Sequence, residues 1–177
     1  MKVDRFNFVL AFLVFTSLLN GCSREAEQIM EKPAPVHIES GDECHLCGMV
    51  ITRFPGPKGE AITEKEQTTY KFCSTKDLFS WILQPENSKR KFTVYVHDMS
   101  ETEWNSPLDT SLIDAREAFY VIGSRRKGAM GPTLASFATK TAAHAFMKEY
   151  GGEILKYDDI TLELLNTAIS MGKMSPE

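Results

Sequence analysis

The densest chemistry in the chain is Cys44-His45-Leu46-Cys47-Gly48-Met49. Two sulfurs three positions apart in a turn can converge on one ion, and a glycine directly after the second lets the backbone take a positive φ. Met49 adds a thioether. Thiolate and thioether are soft donors, suited to Cu(I) rather than to calcium or magnesium. The spacing alone is also compatible with a redox dithiol, half a zinc site or a structural disulfide. Zinc would have to recruit Cys73 and a histidine, because a second CxxC or Cys/His pair is missing. A thioredoxin-like dithiol needs a helix opening at the motif, whereas Pro55, Gly56, Pro57 and Gly59 soon follow here.

The chain has four cysteines, and the first is committed elsewhere. Lys2 and Arg5 precede an almost wholly apolar run from Phe6 to Leu19, and Leu19-Asn20-Gly21-Cys22 follows. This is the plan of a secretory leader, too short for an ordinary membrane-spanning helix of roughly 20 residues. The last four residues resemble the lipobox of bacterial lipoproteins, in which the cysteine is acylated and becomes the new N-terminus. Ser23 after it resembles the pattern sent to the outer membrane. Cys44, Cys47 and Cys73 remain, an odd number, so at least one thiol stays free unless it pairs outside the chain. A free thiol in an oxidising compartment calls for a reason, and metal ligation supplies one.

Positioning these sulfurs requires a framework that the pattern predicts in part. Tyr70 to Cys73 reads as a short strand, Ser74 and Asp77 as a capping box, and Leu78, Trp81 and Ile82 as the apolar face of a helix ending before Pro85. Cys73 then sits at the strand-to-helix corner, where a thiolate is favoured, although a buried small hydrophobe would also fit there. Phe92, Val94 and Val96 alternate with Thr93, Tyr95 and His97 as a half-buried strand. Further strands are expected at Ala118–Gly123 and Ile154–Tyr157, with a helix from about Thr141 to Tyr150 stopped by Gly151-Gly152. Met130 lies in a glycine-bearing loop, Gly128-Ala129-Met130-Gly131-Pro132, and a turn methionine is harder to explain as core than Met147 on a helix. His45 points into solvent or caps the site. His97 and His144 read as ordinary surface or partly buried residues, and His37 lies in a tether.

The resulting organisation is α+β: a leader over residues 1–21, a lipidated start and flexible tether over 22–41, a first half over 42–88, a second over 89–165 and a flexible tail over 166–177. A faint echo relates the halves, with Phe72 against Phe137, Cys73 against Ala138 and Trp81 against Phe146. The formal charge of −4 argues against nucleic acid, which needs a basic face. Ser124-Arg125-Arg126-Lys127 reads as a solvated turn.

The order of these features resembles the NosL family, accessory lipoproteins of nitrous oxide reductase. The likeness runs through Cys22, Cys44-x-x-Cys47-Gly48-Met49, Tyr70-Lys71-Phe72-Cys73-Ser74, Trp104, Asp114-Ala115-Arg116-Glu117-Ala118-Phe119-Tyr120-Val121, Met130-Gly131-Pro132 and Gly151-Gly152. It implies two small related ββα(β)-type halves, a fold akin to a domain of organomercurial lyase. It implies Cu(I) held by Cys47, Met49 and Met130, with Cys44 as the outer cysteine and Cys73 as a further candidate. The copper would pass to nitrous oxide reductase or to a periplasmic assembly factor of an ABC transporter, from a lipid anchor at the outer membrane and without catalysis. A tethered dithiol–disulfide oxidoreductase using Cys44 and Cys47, copper traffic to another exported cuproprotein, and a zinc-stabilised lipoprotein are the competing readings.

Overall fold

The computed structural model describes residues 32–172; the leader and Cys22 lie outside the described residues. A four-stranded antiparallel sheet has the order β2-β1-β3-β4, built from β1 (Gly59–Thr63), β2 (Thr69–Phe72), β3 (Phe92–His97) and β4 (Leu112–Asp114). A three-stranded sheet has the order β8-β5-β9, from β5 (Phe119–Ile122), β8 (Ala135–Phe137) and β9 (Glu153–Lys156). A short ribbon pairs β6 (Lys127–Gly128) with β7 (Gly131–Pro132). Among the described residues three α-helices complete this α+β fold: α1 (Thr75–Ile82), α2 (Lys140–Tyr150) and α3 (Leu162–Gly172). None of the described helices is long and apolar enough to cross a membrane.

The central strand β1 is the element least visible in the sequence. All five of its residues are buried, so Gly-Glu-Ala-Ile-Thr shows no alternation to betray a strand. It pairs Gly59 with Phe72 on one side and with Val96 on the other. Gly59 also admits α1, because a Cβ there would stand 2.5 Å from Leu78 Cδ2. The core beneath α1 holds Phe72, Leu78, Phe79, Val94, Val96, Tyr120 and Leu134. Each large apolar side chain fully buried there contributes about 1.5–3 kcal/mol.

Four sequence expectations are corrected. Strand β3 is buried along its whole length rather than on one face. His97 is therefore not a surface residue: it is fully buried, accepts the Lys58 N–H at Nδ1 (3.0 Å) and places Nε2 3.4 Å from an Asp109 oxygen. Residues 32–41, expected as tether, lie against the fold. Asp109 accepts the Ile38 N–H (2.6 Å) and Glu60 the Val36 N–H (2.9 Å), Tyr95 donates to Pro33 O, and Lys32 pairs with Asp114. Ile38 supplies the apolar burial that composition alone understates. At the other end, α3 runs to Gly172 through most of the expected tail, and residues 173–177 lie outside the described ones.

Candidate metal centre

The CxxC motif folds as a closed turn. Gly48 N–H donates to Cys44 O (2.8 Å) and Cys44 N–H to Met49 O (2.8 Å), with Gly48 at φ +73°. A side chain at Gly48 would be strained by that backbone even though the space around it is open. The turn is hooked to β2 by His45 N–H donating to Lys71 O (2.9 Å). Two residues after Lys71, the chain leaves β2 and presents Cys73 at the start of α1. The three sulfurs thus converge because a turn and a strand end are tied together by backbone hydrogen bonds.

Asp77 completes the group. The Ser74 hydroxyl caps α1 by accepting the Asp77 N–H (3.0 Å), as expected, but the reciprocal half of the capping box does not form. The Asp77 carboxylate turns inward and accepts instead from the thiols of Cys73 (3.4 Å) and Cys44 (3.6 Å). Cys47 and Cys73 bring their sulfurs to 3.5 Å. One donor atom from each of Cys44, Cys47, Cys73 and Asp77 lies within 4.8 Å of all the others. Cys44 and Cys73 are buried and Cys47 is half-buried, so Cys47 faces the accessible side. All three thiols are free. Cys47 lies against Cys73, and the CxxC turn opens no helix, unlike the thioredoxin context.

The electrostatics separate the three thiols. Cys44 is pulled down to about 5, foremost by the hydrogen bond from the Cys73 side chain. The backbone N–H groups of Cys73, Cys47 and Leu46 add to this against the cost of burial. Cys73 is pushed well up, because its proton is shared with Cys44, because it is buried and because Asp77 stands beside it. Cys47 is raised chiefly by burial. The cluster therefore holds its protons unequally, and an incoming cation must displace those that remain. Lys58 is the nearby buried cation. It donates from Nζ to the carbonyls of Phe54 (2.6 Å) and Pro55 (3.1 Å), and burial pulls it down to about 8 against the pull of the two cysteine charges. Three soft sulfurs and one oxygen suit a thiophilic ion such as Cu(I) or zinc and suit calcium poorly.

Of the remaining expected donors, Met49 is half-buried at the end of the CxxC turn, and Met130 is 48% exposed between β6 and β7. The Met130 loop approaches α1 through Thr75, whose hydroxyl donates to Leu134 O (2.6 Å) and lies 3.0 Å from the Thr133 hydroxyl. His45 is exposed, with its ring against Tyr70 and Trp81 rather than in the cluster. Asp77 was legible only as a helix cap, since nothing in its spacing says that the carboxylate turns away from Ser74. Trp104, met as part of a polar loop, is buried; it stacks on Phe146 at 5.5 Å and donates from Nε1 to Lys127 O (3.1 Å), holding the base of the Met130 ribbon.

Residues 35–165 match the model of the NosL family. The copper-binding lipoprotein NosL of Stutzerimonas stutzeri is 46% identical over 153 residues, covering 86% of this chain and 79% of that protein. That of Achromobacter cycloclastes is 31% identical over 171 residues, covering 95% and 86%. Among solved structures, the copper chaperone NosL from Shewanella denitrificans has a TM-score of 0.71 at 50% identity, covering 73% of this chain and 97% of that one.

Proposed function

This chain belongs to the NosL family, and we propose that it is a Cu(I) metallochaperone, lipid-anchored through Cys22 at the outer membrane and facing the periplasm. The observation that carries the reading is the convergence of Cys44, Cys47 and Cys73 within one donor cluster. Copper is cargo here. Cys47 is the accessible sulfur, and Met49 follows it across the positive-φ Gly48. We assign Cys44, Cys47 and Met49 to holding the ion, Cys73 to closing its buried side, and Met130 to the exposed edge from which it leaves. An acceptor's sulfur or imidazole would enter at that edge, share the ion and withdraw it. Such exchange needs an open position, which distinguishes it from a closed structural site.

The acceptor in this reading is nitrous oxide reductase or the periplasmic assembly factor of its ABC transporter system, and the cargo serves assembly of the reductase's copper centres. No bond-making catalysis is required. Support comes from the likeness to relatives named for binding copper and from a donor set suited to a soft ion. The test is anaerobic Cu(I) titration of the purified protein in competition with a chromophoric chelator, combined with thiol counting. Tight 1:1 binding that shields Cys44 and Cys47 from alkylation is expected. Equal affinity in the Cys44→Ser/Cys47→Ser chain would overturn the assignment.

One observation favours a second reading. Asp77 makes the cluster a largely buried four-donor group, and three cysteines with a carboxylate suit tetrahedral zinc. A zinc-stabilised fold would lose cooperative unfolding when a chelator strips the ion. The copper reading predicts that the apo chain keeps its fold, because most of the core beneath α1 is made of aliphatic and aromatic side chains that need no ion.

A further inference from the structure

Beside the sulfur cluster, the outer face of β2 and α1 carries aromatic rings that the copper site does not use. Tyr70 and Trp81 are half-buried with ring centroids 4.7 Å apart, and the exposed His45 ring lies 4.7 Å from Tyr70 and 5.1 Å from Trp81. The Arg90 guanidinium sits at 5.0 Å from the Phe92 ring, 5.5 Å from Tyr70 and 5.9 Å from Trp81. It is fixed further by donating to Asn87 Oδ1 (3.3 Å) and Tyr70 Oη (3.2 Å). Leu46, at the tip of the CxxC turn, is 47% exposed.

An exposed arginine is ordinarily just solvated. Arg90 differs in being held by rings and hydrogen bonds while no carboxylate of the described residues pairs with it. Lys89 and Lys91 on either side are exposed and also unpaired with acids, on a chain whose net charge is −4. Glu64 and Glu86 are near in the fold or the chain, yet neither forms an ion pair with this run. Holding the fork in place lowers the entropic cost of engaging a carboxylate, and Trp, Tyr and Arg are the side chains that dominate interface energetics.

We propose that the face formed by Leu46, Tyr70, Trp81 and Arg90, rimmed by Lys89 and Lys91, docks an acidic segment of the protein with which the neighbouring sulfur cluster exchanges its ion. The identity of the ion rests on the copper reading above; the docking chemistry does not. Leu46 and the rings supply apolar contact, Arg90 a bidentate grip on a carboxylate, and the lysines long-range attraction that salt screens. A His45–Tyr70 contact links this face directly to the CxxC turn, so a bound segment lies beside Cys47.

The test uses the apo chain in its Cys22→Ser form, which carries no acyl group, with a Trp104→Phe background so that emission reports Trp81. Octaglutamate should perturb that emission, with affinity falling as salt rises, and octalysine should not. Lys89→Glu/Lys91→Glu, confined to exposed side chains, should weaken octaglutamate about tenfold, and adding Arg90→Glu should abolish binding. Arg90→Lys should retain part of it, and Arg125→Glu/Lys127→Glu, on another basic run, should change nothing. Absence of octaglutamate binding, or equal losses from the two basic runs, would overturn the proposal. So would preferential, Arg90-dependent binding to phosphatidylglycerol vesicles, which would assign the face to lipid. Because copper is not needed, failure here is distinct from failure of Cu(I) loading.

Discussion

The molecule contains the same local device twice, and only one copy carries chemistry. At the end of β2, Ser74 caps α1 by accepting the N–H of Asp77; at the end of β8, Thr139 caps α2 by accepting that of Ala142 (3.2 Å). The residue before the cap is Cys73 in the first corner and Ala138 in the second. Where the first places a thiol and an inward carboxylate, the second places two alanines. The difference extends beyond the corners. The buried carboxylate, ammonium and imidazole side chains Lys58, Glu60, Asp77, His97 and Asp98 all fall between residues 58 and 98, and the described residues after 115 bury none. A strand-to-cap corner is thus a neutral scaffold, and its function comes from two side chains set on it together with a turn brought alongside.

Removing the turn's sulfurs should break the comparison most completely. Cys44→Ser/Cys47→Ser is expected to weaken Cu(I) by more than about a thousandfold, some 4 kcal/mol, in chelator competition. Giving the first corner the residues of the second is the sharper test. Cys73→Ala/Asp77→Ala should cost about 10–100-fold in Cu(I) affinity. The helical circular dichroism should stay the same, because the Ser74 hydroxyl still caps a backbone N–H. The caps themselves come next. Ser74→Ala and Thr139→Ala should each cost about 1 kcal/mol in denaturant unfolding, but only the first should also loosen Cu(I), since only there does the cap orient a donor.

The last comparison concerns Glu60, whose burial raises its carboxyl to about 7. The folded state therefore holds this proton more tightly than the unfolded chain does. The stability it contributes is complete below the ordinary carboxylate range and fades as pH rises towards 7. Glu60→Gln keeps an acceptor for the Val36 N–H and should flatten that part of the stability profile in thermal melts across pH 4 to 8. An unchanged slope would mean that the buried charge of the first region is compensated locally.

What the sequence disclosed depended on whether the signal was local. The CxxCGM turn, the Ser74 cap, the α2 stop at Gly151 and the strand at β5 follow from spacing and turn chemistry, and the structure has them within a residue or two. The burial of His97, the seating of residues 32–41 and the whole of β1 depend on what covers a residue from elsewhere, and periodicity cannot report that. Asp77 is the instructive case. Its position was read correctly, but one rotation of its side chain converts a helix-capping acid into the fourth member of the cluster.

The central claim is that a sulfur-rich set from the first region holds Cu(I). X-ray absorption at the copper edge of the loaded protein tests it most directly, in the parent and in the Cys73→Ala/Asp77→Ala chain. The account predicts a first shell dominated by sulfur in the parent that loses sulfur in the variant. A shell of nitrogen and oxygen, or one unchanged by the double substitution, would contradict it.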